Sequence, residues 1–245
     1  DVGLEIGRKT MKPVLDFIDR SVEAERPFFV WYAPMLPHQP HDPPERLLAK
    51  YRDRTPSLHV AKYWAMVERF DETVGELLDH LDARGAAEDT LVIYLADNGW
   101  IQDPDAPRYG ARSKQSPYDG GLRTPILVRW PGRVAPTVVD QPVSSIDVAP
   151  TILKAAGVEA PAELSGVDLL DAEAVARRPA VFGEIFTHDA VDLSRPAASL
   201  RFRWVVSGDW KLIQPDPKNA PDAAVELFNV VADPDESRDL AASEP

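Results

Sequence analysis

Thr90-Leu91-Val92-Ile93-Tyr94-Leu95-Ala96-Asp97-Asn98-Gly99 is the stretch on which the fold turns. Seven residues of apolar, branched and aromatic character read as a strand buried on both faces of a parallel sheet. Directly after it come a carboxylate, an amide and a glycine. Polar groups just past strand ends are where open α/β sheets bind ligands. Asp97 and Asn98 offer hard oxygen donors suited to calcium or magnesium. The same tripeptide is also good turn chemistry, because Asn and Gly tolerate positive φ.

Upstream, Val67, Phe70, Val74, Leu77, Leu78 and Leu81 recur at helical spacing, which predicts a long helix over residues 57–84 with Gly85 as its stop. Before it, Pro27-Phe28-Phe29-Val30-Trp31-Tyr32-Ala33 reads as another strand buried on both faces. Strand, helix and strand in this order suit a right-handed parallel crossover. Met11, Val14, Leu15 and Ile18 predict a first helix over residues 7–22.

Downstream, a polar stretch over 100–121 precedes a third strand, Thr124-Pro125-Ile126-Leu127-Val128-Arg129-Trp130, and a helix over 147–156 closed by Gly157. The tail changes character, with short alternating strands at 201–206, 210–214 and 225–230. The reading is therefore α/β: a mostly parallel sheet flanked by helices over residues 1–175, and a small antiparallel β subdomain over 176–245.

Composition narrows the functional classes. With 245 residues, 44% hydrophobic, the chain can bury a substantial core. A formal charge of −13 and the lack of a Lys/Arg stripe argue against nucleic acid as partner. The longest apolar runs are too short to cross a bilayer. Without cysteine there is neither disulfide nor thiolate metal site. The chain opens at Asp1 without an export signal, so the reading expects the true N-terminus upstream.

Two further strand ends carry polar groups. Pro37-His38-Gln39-Pro40-His41 places two histidines in a proline-stiffened loop, able to bind a metal or donate to an anion, or to stand as a solvent-facing loop. Ser113-Lys114-Gln115-Ser116-Pro117-Tyr118-Asp119-Gly120-Gly121-Leu122-Arg123-Thr124-Pro125 supplies Lys114 for an anionic ester and glycines that permit close backbone approach. Three such motifs at three strand ends bring together donors, metal ligands and positive charge. His59 and His80 read as surface groups, and His188 falls in a poorly patterned segment.

Taken in order, the aromatic strand with His-x-Pro-His, the apolar strand with Asp-Asn-Gly, and Lys-x-x-x-Tyr-Asp-Gly-Gly-x-Arg-x-Pro followed by Val128-Arg129-Trp130-Pro131-Gly132 resemble the formylglycine-dependent (type I) sulfatases of the alkaline-phosphatase-like superfamily. Trp210-Lys211-Leu212-Ile213, Glu226-Leu227-Phe228-Asn229 and Asp233-Pro234-Asp235-Glu236 resemble that family's small C-terminal sheet.

The resemblance implies hydrolysis of a sulfate ester, on a small molecule or carbohydrate. Asp97 and Asn98 would give two ligands to one divalent cation, usually calcium. Lys114 would contact the sulfate or bridging oxygen, and His38 would hydrogen-bond the sulfate and assist the leaving alkoxide. His41 would shape the substrate mouth or serve structure, and Arg123 would serve the fold or support the residues that hold the metal, without a catalytic role. Trp100 could contact substrate or pack.

The family's nucleophile is a formylglycine made within Cys/Ser-x-Pro-Ser/Ala-x-Arg, and no such segment occurs in these residues. They are therefore expected to hold part of an active site and to be inactive alone. The family also implies export to a periplasmic or extracellular space. Two alternatives stay open: a phosphodiesterase or phosphonate monoester hydrolase of the same superfamily, and a non-catalytic binding module.

Overall fold

In the computed structural model, residues 4–244 are described. They form two compact units. One comprises the chain up to Leu91 with Gln102–Tyr109 and Trp130–Arg133; the other comprises Val92–Ile101, Gly110–Arg129 and the chain from Val134 onward.

The first unit is helical. Helix α1 (Lys12–Glu23) starts five residues later than its apolar spacing predicts. Residues 5–10 close a turn instead, with the Gly7 N–H donating to the Thr10 carbonyl at 3.0 Å, and Pro13 then sets the first helical turn. Helix α2 (Glu45–Tyr51) was not expected, because one adjacent apolar pair, Leu47 and Leu48, shows no period over seven residues. Helix α3 (Leu58–Ala83) begins at Ser57, whose hydroxyl accepts the Val60 N–H at 3.2 Å. It ends as expected: Gly85 takes φ +66°, and the Ala86 N–H reaches back to the Leu81 carbonyl at 2.9 Å. The three helices bury Ile18, Leu47, Ala61, Ala65, Met66 and Leu81.

His80 is not the surface group its helical position suggested. Its Nε2 lies 2.6 Å from Asp19 Oδ1, and Arg84 meets the other Asp19 oxygen at 2.7 Å, tying α3 to α1. Hydrogen bonding from Arg84 holds the Asp19 carboxyl below the usual carboxylate range, against a smaller opposing effect of burial.

The aromatic run at 27–33 corrects another expectation. Among the described residues it joins no strand ladder, and its two faces differ. Phe29 and Trp31 are 64% and 84% exposed, whereas Tyr32 is half-buried and donates its hydroxyl to Thr73 Oγ1 of α3 at 2.9 Å. Burial on both faces needs neighbours on both faces, and the helix supplies only one.

The second unit holds the sheets. Strands β1 (Val92–Leu95) and β2 (Ile126–Arg129) pair antiparallel, with Val92 opposite Arg129 and Leu95 opposite Ile126. Parallel pairing had been expected, but the chain between them contains only a one-turn helix, α4 (Asp119–Leu122), where a parallel crossover usually carries a full helix packed on the sheet. Helix α5 (Val148–Ala155) and the short α6 (Ala172–Ala176) follow. The tail is a four-stranded antiparallel meander in sequence order: β3 (Val181–Phe186), β4 (Leu200–Ser207), β5 (Trp210–Pro215) and β6 (Glu226–Asn229). Its inward face buries Val181, Ile185, Leu200, Ile213 and Phe228, and full burial of each such side chain stabilises by about 1.5–3 kcal/mol.

Candidate functional site

Asp97-Asn98-Gly99 leaves β1 and meets the Lys114 loop through backbone contacts. The Gly99 N–H donates to the Gly121 carbonyl at 2.9 Å, and the Ile101 N–H donates to Ser113 Oγ at 2.6 Å. Ser113 is buried, and Ser116 Oγ closes the loop onto the Ser113 carbonyl at 2.6 Å. The glycines serve this stitching. A Cβ on Gly99 would lie 2.3 Å from the Gly120 carbonyl oxygen, and one on Gly121 would lie 2.1 Å from that of Ser113. The close approach expected toward a ligand is thus an approach of backbone to backbone.

Two charges stand out on this framework. Asp97 is exposed, and its carboxylate has no hydrogen bond or ion pair among the described residues. Lys114, half-buried one residue after Ser113, has no carboxylate partner among them either. Asn98 donates its amide N–H to the Gly99 carbonyl at 2.9 Å, which leaves the amide oxygen as a hard donor beside Asp97. Among the described residues, no three His, Asp or Glu side chains gather into a metal-holding set. Asp97 and Asn98 therefore fit part of a calcium shell, which takes about six to eight oxygens.

His38 and His41 belong to the other unit. Their loop is organised by Arg8, which the sequence reading missed. Its guanidinium donates to the carbonyls of Met35 at 3.0 Å, His38 at 2.8 Å and Pro40, and to the Asp42 carboxylate. Three carbonyls turned toward one fork make a loop that needs that cation. His38 is exposed, with Nδ1 2.9 Å from the Gln39 carbonyl, so Nε2 is the atom placed for other partners. His41 packs at a tilt on Tyr63, ring centroids 5.5 Å apart, and burial, with His38 and Arg8 nearby, depresses its pKa and keeps it neutral. That environment favours the structural reading of His41. Replacing Arg8 with alanine should cost this loop about 1.5–3 kcal/mol of local stability, read as faster exchange of the Asp42 amide, which is bonded to Pro40.

Behind the Lys114 loop, Tyr118 and Asp119 reach into the C-terminal sheet. The Tyr118 hydroxyl donates to Glu226 at 2.7 Å, and Arg112 lies 4.2 Å over its ring. Burial, then the Glu226 carboxylate, push the phenol up to about 12. Asp119 accepts from Lys211 at 2.6 Å, and Lys211 also meets Glu236 at 2.7 Å. A visible signal existed for Lys211. Strand alternation places it on the face of Ile213, where a charge requires a buried counterion. Arg123 is exposed and lies 4.0 Å from Asp119, a contact of small energetic weight.

Comparison with known proteins gives this arrangement its context. The sulfatase family matches residues 7–158, and the C-terminal region of N-sulphoglucosamine sulphohydrolase matches residues 108–244. A sulfatase of Formosa agariphila is 30% identical over 255 residues, covering 95% of this chain and 45% of its own. A solved structure from Bacteroides thetaiotaomicron, from work on the metabolism of multiple glycosaminoglycans, superposes with a TM-score of 0.77 at 23% identity, covering 99% of this chain and 55% of its own. The phosphonate monoester hydrolase of Silicibacter pomeroyi superposes with a TM-score of 0.59 at 28% identity, covering 75% of this chain and 37% of its own. The chain spans less than half the length of the curated relatives it matches. The fold is the alkaline-phosphatase-like α/β fold with its antiparallel C-terminal sheet. With one match through the strand-end loops and the other from the Lys114 loop into the C-terminal sheet, the chain belongs to the sulfatase family.

Proposed function

We propose that the whole protein hydrolyses a sulfate ester of a carbohydrate or small molecule, and that this chain supplies the part of its site that handles a divalent cation and the sulfate. One observation carries the reading. Asp97 and Lys114 bear opposite charges on loops stitched together by the Gly99–Gly121 and Ile101–Ser113 hydrogen bonds, yet neither pairs with a described residue. Opposite charges so placed are accounted for when a cation satisfies one and an anion the other.

Asp97 and Asn98 would hold the cation, calcium by family resemblance. When bound, such an ion supplies Lewis-acid stabilisation to charge on sulfate oxygens. Lys114, a point charge on a flexible stem, binds the sulfate or its bridging oxygen and stabilises negative charge as the S–O bond breaks. His38, through Nε2, donates a hydrogen bond to sulfate and gives a proton to the departing alkoxide. The formylglycine that attacks sulfur would come from residues other than these.

Lys114→Ala in the whole protein should lower kcat/KM for an aryl sulfate by about 10²–10³-fold, the scale for one preorganised charge-stabilising group. Asp97→Ala should cost at least as much and weaken calcium binding, measured by calorimetry. Parallel assays on sulfate, phosphate and phosphonate monoesters separate this reading from the phosphonate hydrolase one. A preference for phosphonate, or full activity in both variants, would refute the proposal.

A further inference from the structure

Lys114 stands between two non-glycine residues in the left-handed region, Arg112 at φ +55° and Gln115 at φ +67°. Such backbone costs free energy and persists only where the surroundings over-determine it. Here the surroundings come from far along the chain. Glu236 takes hold of the loop on both sides of Lys114: its backbone carbonyl accepts from the Arg112 guanidinium, and its carboxylate accepts the Asp119 N–H at 2.5 Å.

Glu236 is only 2% exposed and is itself at φ +51°. Lys211 locks the arrangement from the opposite side. Its ammonium is fully buried and bridges Glu236 at 2.7 Å and Asp119 at 2.6 Å.

We infer that Glu236, in the chain that follows β6 and braced by Lys211 of β5, is a positioning residue for Lys114 and fixes where the anion-contacting cation stands. This rests on the sulfate-ester reading for its chemical meaning. Neither residue needs to touch the ester. A loop free to relax its left-handed residues moves the Lys114 ammonium, and a displacement of about 1 Å can cost on the order of a hundredfold in rate.

The experiment has two arms. In the whole protein, Glu236→Gln removes the carboxylate charge at nearly constant shape. Amide exchange over residues 112–119 should rise by about tenfold or more, with β4 unchanged. Unaltered exchange there overturns the inference. Should Glu236→Gln fail to fold, Lys211→Arg is read in the same way.

In the whole protein, with calcium and formylglycine, Glu236→Gln should lower kcat/KM for an aryl sulfate by about tenfold to a hundredfold, chiefly through kcat. Added to Lys114→Ala, it should cost nothing more. An equal further loss in that background overturns positioning through Lys114, because a merely structural role would lower both enzymes alike. A wild-type protein inert toward every sulfate ester defeats the sulfate-ester reading instead, and the exchange arm still decides whether Glu236 sets the loop.

Discussion

Lys211→Met is expected to destabilise the fold by about 3–5 kcal/mol, the scale for removing one partner from a buried ion pair. The Lys211 side chain is 0% exposed and faces two carboxylates, Asp119 at 16% and Glu236 at 2% exposure. Methionine fills the space but leaves two negative charges with little solvent and only the exposed Arg123, 4.0 Å from Asp119, as a nearby cation. Urea unfolding followed by far-UV circular dichroism at pH 7.5 measures the deficit, with Lys9→Met as the exposed-lysine control. A loss below about 1 kcal/mol at pH 7.5 would mean that the network contributes little beyond its packing.

A second substitution of comparable size is Asp147→Ala. Asp147 is fully buried and holds both terminal nitrogens of Arg178, one at 2.6 Å. It also accepts the Ser144 N–H at 2.8 Å and the Val167 N–H at 2.9 Å, the first completing a capping box. Alanine strands a guanidinium that is 9% exposed and leaves two N–H groups without their acceptor. The expected cost is again about 3–5 kcal/mol.

Burial pushes the Asp147 carboxyl up, but Arg178 and the two N–H donors outweigh it and hold the carboxyl below its ordinary value. The sign follows: this stabilisation is complete above the unfolded carboxyl pKa of about 3.9 and is lost only as pH falls through the lowered folded value. The gap between wild type and Asp147→Ala should stay level from pH 7 to about pH 5 and narrow in stronger acid. A gap already closing at pH 6 would contradict the assignment.

Local pattern carried much of the architecture. The helical period of Val67 to Leu81, with Gly85 behind it, located α3, and alternation in the tail located β4, β5 and β6. β3 escaped because Gly183 interrupts its inward face. That glycine makes room for the Trp204 ring, which a Cβ would meet at 2.2 Å, and no local rule announces a cross-strand fit of this kind. The 27–33 run was misjudged for a related reason. Apolar content measures how much surface could be buried, while Trp31 shows that burial depends on which neighbours arrive.

At the candidate site, Asp97 and Asn98 stand just past the end of β1, where the sequence put them, while Lys114 lies in the loop that precedes β2. The purpose of the glycines around them was not legible, since Gly99 and Gly121 answer to carbonyl groups in other parts of the chain. Arg8 and Glu236 were equally hidden. Each acts across a long separation, 30 residues from Arg8 to His38 and 117 from Asp119 to Glu236, where periodicity carries no information.

That last separation also has a meaning in time. A ribosome adding roughly 5–20 residues per second makes Asp119 about 6–23 seconds before Glu236. During that interval β1, β2 and the stitched glycines can form, while the Lys114 loop still lacks the residue that grips both its flanks. The Lys114 loop is thus among the last parts of this chain able to set, and a nascent chain stopped short of residue 236 would carry Lys114 on an unfinished loop.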